Sequence, residues 1–519
     1  MSSVTALRWS CLLCVVGACR GTPQQPSSAA PSQAGSLADG SAAASELAPL
    51  RPLLPQSAAL LFGSELLFRW LGSDAHVELA RERGFVDVAQ ATHSGATQAV
   101  LQVPPGRWFW RVKEASGRSS ATWAFQVMPG PPGHARSLLL PADFNGDMRA
   151  DCAVQYGVVL GSATPPAADG LIALDLGALK VQELTRAADD AAYEWSTGEA
   201  SGDLDGDGFG DMTAQVVRQA MNMAERIPVR LLFKGAAQIP SRWPGTERVA
   251  HHAERLGDVN EDGYADVADC PLRGQAGHCS IYLGSAHGLQ QLPSFELPAY
   301  QHLLGGTDLD ADDHVDLVGV TEQGEVALFR GPLTDSSPRA SRTWAIPKAP
   351  VTMSRLADLD GDGSIDIWGT SLEGQSVVHL WQIPGKDLLT KSAPRLLAKV
   401  SLDTNRSFSF VPGVGRKAAG ILAFSTGSVP SFAFAQAQYP FALGSRLKRV
   451  PHMADPSSES GLQSIGDFNG DGWNDLLVTR TTAAEDVTSE VVLGNGNWLE
   501  VRAPGHGFTS GGPLHFGFY

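Results

Sequence analysis

Short apolar runs recur along the chain, separated by charged, proline-rich or glycine-rich segments. One set of runs begins at an aspartate, as in residues 316–320 (Asp-Leu-Val-Gly-Val) and 475–479 (Asp-Leu-Leu-Val-Thr). Short runs that are rich in apolar and β-branched residues favour strands. A second set ends in glycine and comprises residues 158–161, 231–235, 281–284, 327–331 and 491–494. The pattern predicts an all-β chain of short strands.

Residues 51–129 show alternating apolar and polar positions with frequent turn residues, and the runs are 65–70, 76–80, 99–103, 107–112 and 122–127. Such spacing predicts a small β-sandwich domain. Successive side chains of a strand point to opposite faces, so Trp108 and Trp110 should share one face and Phe109 should lie on the other. We interpret this domain as a spacer.

Six acidic segments share a nine-residue frame with carboxylate or amide side chains at positions 1, 3, 5 and 9. Ca²⁺ takes roughly six to eight oxygen ligands, and this frame supplies side-chain oxygens together with a backbone carbonyl at position 7. The predicted side-chain ligands are Asp143, Asn145, Asp147 and Asp151 in the first loop (143–151); Asp203, Asp205, Asp207 and Asp211 in the second (203–211); Asp258, Asn260, Asp262 and Asp266 in the third (258–266); Asp308, Asp310, Asp312 and Asp316 in the fourth (308–316); Asp358, Asp360, Asp362 and Asp366 in the fifth (358–366); and Asp467, Asn469, Asp471 and Asp475 in the sixth (467–475). The predicted carbonyl ligands are those of Phe209, Tyr264, His314, Ser364 and Trp473.

Position 6 of the frame is glycine in four loops, which fits a sharp turn through positive φ. Met148 and Asp313 stand there in the first and fourth loops and leave the occupancy of those two loops open. Position 12 is acidic only in the third loop, at Asp269, and strands rather than helices are predicted to follow, so EF-hands are excluded. Acidic turns that bind no metal are the alternative.

The first aspartates fall at 143, 203, 258, 308, 358 and 467, so the intervals are 60, 55, 50, 50 and 109 residues. The last interval is two periods long, and a degenerate copy lies midway, with Gly413, Gly415, Lys417 and Ile421 at the ligand positions. Seven units of this length, each unable to bury both of its faces alone, predict a β-propeller over residues 134–519.

The loops and the strands that follow them resemble FG-GAP/VCBS repeats, which form the seven-bladed propeller of integrin α subunits. The resemblance covers residues 134–519. It implies that calcium is structural, that the aspartates of the six loops bind it, and that ligands bind the opposite face. Residues 103–112 (Val-Pro-Pro-Gly-Arg-Trp-Phe-Trp-Arg-Val) resemble a strand of fibronectin type III-like modules. The expected fold class is therefore a seven-bladed propeller preceded by an Ig/fibronectin type III-like sandwich.

Length and charge narrow the range of partners. The chain has 519 residues, 43% of them hydrophobic, which is enough for more than one domain. Its formal net charge of −16 argues against nucleic acid, because a phosphate backbone requires a basic face.

Residues 1–18 carry an arginine followed by a short apolar run, which predicts a signal peptide. Val16-Gly17-Ala18-Cys19 is similar to a bacterial lipobox, with Cys19 as the lipidated residue; an ordinary signal peptide is the alternative. Residues 19–50 are rich in Ala, Ser and Pro and predict a disordered tether. We expect an exported lipoprotein of the bacterial outer membrane, facing the periplasm or the exterior and held to the membrane by its lipid anchor.

Three cysteines follow Cys19. Cys270 and Cys279 lie at the ends of two predicted neighbouring strands and are expected to form a disulfide across a hairpin, as an exported protein allows. Cys152 follows Asp151 and is expected to be a buried small apolar residue.

The sequence contains no Gly-x-Ser-x-Gly, His-Glu-x-x-His or P-loop motif, and His251 and His252 should point to opposite faces of a strand. We therefore expect no catalytic residues. The predicted function is a non-catalytic adhesion, ligand-binding or scaffold protein whose partner is an unidentified protein or glycan. An exported polysaccharide lyase or hydrolase on a calcium-stabilised propeller is the alternative.

Overall fold

The computed structural model describes residues 49–91, 96–128, 136–140, 142–154, 157–161, 172–175, 182–183, 193–219, 226–237, 241–242, 248–249, 252–271, 277–347, 349–359, 364–374, 377–388, 390, 393–401, 408–412, 419–425, 432–438, 442–443, 448–449, 459–470, 475–481, 487–493 and 508–510. All of these belong to one compact unit, Ala48–Tyr519. Five predicted site residues lie outside the described residues: Cys19, Asp360, Asp362, Asp471 and Trp473. The predicted signal peptide, most of the tether and the degenerate loop 413–418 lie outside them as well.

The N-terminal region forms two sheets. Its strands are β1 (Arg51–Leu54), β2 (Ala59–Phe62), β3 (Glu65–Leu71), β4 (Ala75–Ala80), β5 (Val88–Ala91), β6 (Gln98–Gln102), β7 (Gly106–Glu114), β8 (Trp123–Met128) and β9 (Arg136–Leu139). One sheet has the order β1-β3-β6 and the other β5-β4-β7-β8-β2-β9. Among the hydrogen-bonded strand pairs described in these two sheets, only β2 and β8 run parallel to each other.

The two sheets bury an aromatic core between them. Phe68 packs edge-on against Trp110 and Phe125, with ring centroids 5.1 and 5.8 Å apart. Trp108 and Trp110 both face this core, as strand alternation predicts. Phe109 lies on the other face of the six-stranded sheet, in a second apolar cluster with Met148 of the first acidic loop. That sheet is therefore covered on both faces.

The strands that follow the first loop are β10 (Cys152–Val154), β11 (Gly157–Val159), β12 (Ile172–Asp175), β13 (Gln182–Glu183), β14 (Tyr193–Gly202), β15 (Asp211–Gln219), β16 (Arg226–Lys234), β17 (Ser241–Arg242), β18 (Arg248–Val249), β19 (His252–Gly257), β20 (Asp266–Cys270), β21 (His278–Tyr282), β22 (Phe295–Pro298), β23 (His302–Thr307), β24 (Asp316–Val320), β25 (Glu325–Phe329) and β26 (Arg342–Ala345). The remaining strands are β27 (Val351–Ala357), β28 (Asp366–Glu373), β29 (Val377–Ile383), β30 (Arg395–Ser401), β31 (Phe408–Pro412), β32 (Ala419–Ser425), β33 (Phe432–Gln438), β34 (Ala442–Leu443), β35 (Lys448–Arg449), β36 (Glu459–Gly466), β37 (Asp475–Thr481), β38 (Val487–Leu493) and β39 (Phe508–Ser510).

These strands form successive antiparallel sheets in sequence order. The sheets of consecutive strands are β14-β15-β16-β17 with β18 beside β16, β19-β20-β21-β22, β23-β24-β25-β26, β27-β28-β29-β30 and β31-β32-β33-β34 with β35 beside β33. Strands β10, β11 and β13 form a three-stranded sheet before them. The long interval before the sixth loop therefore contains a sheet of its own, built from strands between Phe408 and Arg449.

Two features join the sheets to one another. The first strands are neighbours along the series: β14 contacts β10 and β19, β19 contacts β23, β23 contacts β27, and β31 contacts β36. The last sheet has the order β12-β38-β37-β36, with β39 beside β38, so a strand from the first repeat interval completes the final sheet.

The helical content of the described residues is a single 3-10 turn, Gly385–Asp387. Within the same residues, no helix has the length and apolar character needed to cross a membrane. A disulfide joins Cys270 in β20 to Cys279 in β21, with Cα atoms 4.1 Å apart, and Cys152 is a buried free thiol. Burial raises the pKa of the Cys152 thiol to about 12, and the neighbouring Asp151 adds to the rise.

Candidate metal centre

Each acidic loop in the repeat sheets occupies the same place in its sheet, between the first and second strands. The second loop joins β14 to β15, the third joins β19 to β20, and the fourth joins β23 to β24. The fifth and sixth loops join β27 to β28 and β36 to β37. Position 9 of each of these loops is the first residue of the second strand. The first loop instead follows β9 and leads to β10.

The position-1 aspartate curls the loop around its own carboxylate. In the third loop, Asp258 Oδ1 accepts from the Asp262 amide at 3.0 Å, and Oδ2 accepts from the Gly263 amide at 2.8 Å. In the first loop, Asp143 accepts hydrogen bonds from the two corresponding backbone amides, both with a donor–acceptor distance of 2.9 Å. These hydrogen bonds bring positions 5 and 6 back towards position 1 and close the turn.

Two positions of the frame have left-handed backbone. Position 6 has φ of 88° at Gly208 and at Gly263. Met148 and Asp313, which replace glycine there, also have positive φ, 61° and 68°. At position 6 the first and fourth loops therefore share the left-handed backbone of the second and third loops, although a methionine in this region carries a steric cost.

Position 4 is the second left-handed position, and the sequence analysis missed it. Its residues with positive φ are Gly146, Gly206, Glu261, Ala311 and Gly470. Four of the six loops have glycine at position 4, and this was the feature of the sequence that could have predicted the left-handed backbone there.

The position-9 aspartate connects three segments of chain. Asp211 Oδ2 accepts from the Leu204 amide at 2.7 Å, and Oδ1 accepts from the Gly235 amide at 2.8 Å. Gly235 follows the third strand of the sheet, β16. The same pair of hydrogen bonds recurs at four other position-9 aspartates, Asp151, Asp266, Asp316 and Asp366. Four glycines that end apolar runs of the second set are thus amide donors to these carboxylates, a role that the sequence did not reveal: Gly161, Gly235, Gly284 and Gly331.

Carboxylates converge in two of the described loops. Oxygen atoms of Asp203, Asp205 and Asp211 lie within 4.8 Å of one another, as do those of Asp308, Asp310 and Asp316. In the second loop, Asp203 Oδ1 and Asp205 Oδ1 are buried without a hydrogen-bond partner. A buried acceptor without a donor is costly, and a hard cation removes that cost by binding the oxygen. The all-oxygen donor set therefore fits Ca²⁺.

The position-5 aspartates lie nearer the rim. About 30% of the Asp207 side chain and 25% of the Asp312 side chain is exposed. Asp207 Oδ1 accepts from the amide of Phe209 at 3.0 Å, two residues along the loop. These two aspartates do not belong to the converging groups of their loops.

Burial and like charge together disfavour ionised loop carboxylates. Burial raises the pKa of Asp143 to about 7, with the neighbouring Asp147 adding to the rise, and burial raises the pKa of Asp316 to about 7. Five further aspartates have a pKa well above the usual range, and burial is the largest cause, with neighbouring carboxylates the second: Asp151, Asp203, Asp211, Asp258 and Asp266. A bound divalent cation would reverse this preference and keep the carboxylates charged.

Arginines from the N-terminal sheets reach the loops. Arg83 donates to the backbone carbonyls of Gly146, Asp207 and Gly208 at 3.3–3.4 Å, and its guanidinium lies 4.0 Å from the Phe209 ring centroid. Asp143, Asp207 and Asp203 favour its charged form, but burial is the larger effect and lowers the pKa of Arg83.

Similar contacts reach other loops. Arg51 donates to the Asp262 carbonyl at 2.7 Å and stacks over Tyr264, 4.5 Å from its ring centroid. Arg69 forms an ion pair with Glu261 at 2.9 Å. Arg107 donates to the Gly470 carbonyl and Trp123 to the Gly206 carbonyl, both at 3.4 Å, and Arg69 lies 3.3 Å from His314 Nδ1 in the fourth loop. The N-terminal module thus packs on the loops, which differs from its interpretation as a spacer.

Part of the chain is similar in sequence to integrin α subunits. Integrin alpha-8 of Mus musculus is 36% identical over 111 residues, which are 18% of this chain and 10% of that protein. Integrin alpha-PS5 of Drosophila melanogaster is 31% identical over 150 residues, which are 25% of this chain and 15% of that protein. The aligned parts thus span a small fraction of these relatives. No protein-family model matches the chain.

Solved structures with some likeness include β-propellers. A six-bladed fungal lectin from Aleuria aurantia has a TM-score of 0.32 and 8% identity, covering 63% of this chain and 97% of the lectin. An exotype rhamnogalacturonan lyase has a TM-score of 0.27 and 11% identity, covering 85% of this chain and 91% of the lyase. Scores of this size define neither a blade number nor an activity.

We predict that Asp266→Asn destabilises the protein whether or not calcium is present. Asparagine keeps one acceptor oxygen but turns an NH₂ group towards the other amide, of Val259 or Gly284, which then lies buried without an acceptor. The expected loss is about 1–3 kcal/mol in the free energy of unfolding, measured by denaturant titration in calcium and in chelator. The exposed Asp335→Asn is the control and should cost little. A loss seen only with calcium would show that Asp266 acts as a metal ligand alone.

We also predict that, in chelator, the melting temperature falls as the pH rises from about 4 to about 8. Unfolded aspartates titrate near 3.9, whereas Asp143 and Asp316 have a pKa of about 7 in the folded protein. Between these values the folded state binds more protons than the unfolded state, so stability is lost with rising pH. Excess calcium should abolish the fall. Calorimetry across this pH range tests the prediction, and an equal fall in both series would contradict it.

Proposed function

We propose that this chain is an exported calcium-binding β-propeller of the FG-GAP/VCBS type, acting as a non-catalytic adhesion, ligand-binding or scaffold protein. The observation that carries the proposal is the recurrence of one loop geometry at one position in successive sheets, with buried carboxylate oxygens that lack partners in the second loop. Similarity of part of the chain to integrin α subunits supports the adhesion class.

Seven blades are the arrangement that we propose for residues 134–519. The support is the succession of repeat sheets in the described residues, including β31–β35 in the long interval before the sixth loop. The pairing of β12 with β38 supports ring closure, because it combines an early strand with the last sheet. Closure leaves no open sheet edge between the two ends of the array.

Calcium is proposed to be structural at up to six loops, with Asp203, Asp205 and Asp211 as one donor set. The carboxylates of Asp203 and Asp211 accept from backbone amides of the loop, and that of Asp205 contacts Lys234. None of the three belongs to a nucleophile and base pair in the described residues. Ca²⁺ at such a site supplies positive charge and joins the two strands that flank the loop.

The ligand is proposed to be a protein or a glycan that binds the propeller face opposite the loops. The N-terminal module supports this choice of face, because its arginines and Trp123 already contact five of the six loops. The lipobox-like residues 16–19 support export and a lipid anchor at the bacterial outer membrane.

We predict that chelation lowers the melting temperature by many degrees. Extracellular calcium modules bind with dissociation constants of about 10⁻⁴–10⁻³ M, and at one hundred times that concentration each folded-state site adds about 2.7 kcal/mol. Asp205→Ala with Asp207→Ala should reproduce part of the loss. Differential scanning calorimetry and metal analysis test this. A melting curve that excess chelator leaves unchanged, with no metal in the purified protein, would leave only acidic turns.

Binding to one class of ligand is the test of function. In calcium, the purified protein should retain a defined protein in a pull-down or a defined glycan on an array. Blocking the propeller face opposite the calcium loops should abolish this retention. Retention in calcium that is lost in chelator, without any cleavage of the bound molecule, is the expected result. Turnover of a polysaccharide in the same screen would contradict the non-catalytic assignment and favour the lyase or hydrolase alternative.

A further inference from the structure

In two of the described loops, a cation at the end of the third strand contacts both position 3 and position 5, whereas in the first loop Arg149 pairs with the position-5 Asp147 alone, at 2.7 Å. Lys234, the last residue of β16, contacts the carboxylates of Asp205 and Asp207, the latter at 3.0 Å. Arg330, which follows β25, contacts the carboxylates of Asp310 and Asp312, the latter at 2.8 Å. Each cation thus bridges positions 3 and 5 of its loop. In the sequence, each of these two cations directly precedes the glycine whose backbone amide donates to the position-9 aspartate of the same loop.

The sequence pairs this cation with the charge at position 3. The second and fourth loops have aspartate at position 3 and a cation before the glycine. The first, third and sixth loops have asparagine at position 3 and leucine before the glycine, at Leu160, Leu283 and Leu493. The fifth loop, with aspartate at position 3, has Pro384 before its glycine and Lys386 after it.

Burial explains why the pairing matters. The side chain of Asp205 is 5% exposed and that of Asp310 is fully buried. A buried carboxylate is unfavourable without a partner, whereas the amide of an asparagine carries no charge to compensate. Counted over positions 1, 3, 5 and 9 alone, the tethered cation reduces the charge of four aspartates from −4 to −3, which is the charge of three aspartates and one asparagine.

We propose that Lys234 and Arg330 are tethered counter-cations that set the calcium affinity of the second and fourth loops. They neutralise the position-3 carboxylate when metal is absent and compete with Ca²⁺ for it when metal is present. The chain then has two classes of calcium site. The loops with asparagine at position 3 depend on metal for their order, whereas the second and fourth loops keep their folded form without it.

This assignment rests on the proposed function, namely that the loops bind calcium. Unpartnered oxygens support the assignment independently of the acidic cluster: Asp203 Oδ1 and Asp205 Oδ1 in the second loop, and both carboxylate oxygens of Asp310 in the fourth, are buried without a hydrogen bond. In the second loop, Lys234 donates to Asp205 Oδ2 and leaves Asp205 Oδ1 for a metal ion. In the fourth loop, Arg330 forms an ion pair with Asp310 Oδ2.

The test is Lys234→Met in the full chain, which keeps the aliphatic stem and removes the charge. Native mass spectrometry at buffered free calcium counts the bound ions, and calorimetry in chelator measures the metal-free protein. We expect one site to fill at roughly tenfold lower free calcium, together with a lower melting temperature in chelator. Lys234→Arg is the matched control and should retain the wild-type behaviour in both measurements.

A double variant keeps the test informative if Lys234→Met folds poorly. Asp205→Asn combined with Lys234→Leu copies position 3 and the strand end of the third loop. We expect it to recover the metal-free stability that Lys234→Met loses, because no unpaired carboxylate remains at position 3.

The outcomes separate the two proposals. Wild-type protein that binds no calcium overturns the proposed function and this assignment with it. Calcium binding that Lys234→Met leaves unchanged or weakens overturns this assignment alone. A double variant that is no more stable in chelator than Lys234→Met also overturns it, because the loss would then not come from the uncompensated charge.

Discussion

The repeat sheets depend on a buried carboxylate at the beginning of each second strand. Asp211 is fully buried and accepts hydrogen bonds from amides 7 and 24 positions away along the chain. One side chain therefore fixes the loop, its own strand and the end of the third strand. The carboxylate and the two amides satisfy one another's hydrogen-bonding capacity, and none of these three groups could be buried alone without a large cost.

The same arrangement collects like charges where little water can screen them. Asp203 lies close to Asp205 and Asp211, and burial raises the pKa of Asp203 well above its usual range. Backbone amides compensate part of this charge, and the proposed calcium ion and the cation of Lys234 compensate more. The proposed role of calcium and the dense aspartate frame are thus two consequences of one constraint, because oxygen atoms close enough to hold Ca²⁺ repel one another without a cation.

Local features of the site were predictable and tertiary ones were not. The frame, the strands that begin at position 9 and the turn at position 6 follow from residues that are close in sequence. The hydrogen bond from the Gly235 amide to Asp211 depends on where the third strand of the sheet ends in space. The contact between Arg69 and Glu261 joins residues that are 192 positions apart in the sequence. Strand β9 shows the same limit, since it pairs with β2 of the N-terminal module rather than with β10.

The position of the N-terminal module gives the loops a second role. The backbone carbonyls of Gly146, Asp207 and Gly208 accept from Arg83. The curled form of the loops places these carbonyls within reach of one guanidinium, so order in the loops and packing of the module are coupled. Any factor that stabilises the ordered loops must also stabilise the packed N-terminal module, and the reverse holds as well. The reason is that a coupling free energy between two events acts equally in both directions. Calcium bound in the loops would therefore also hold the N-terminal module in place.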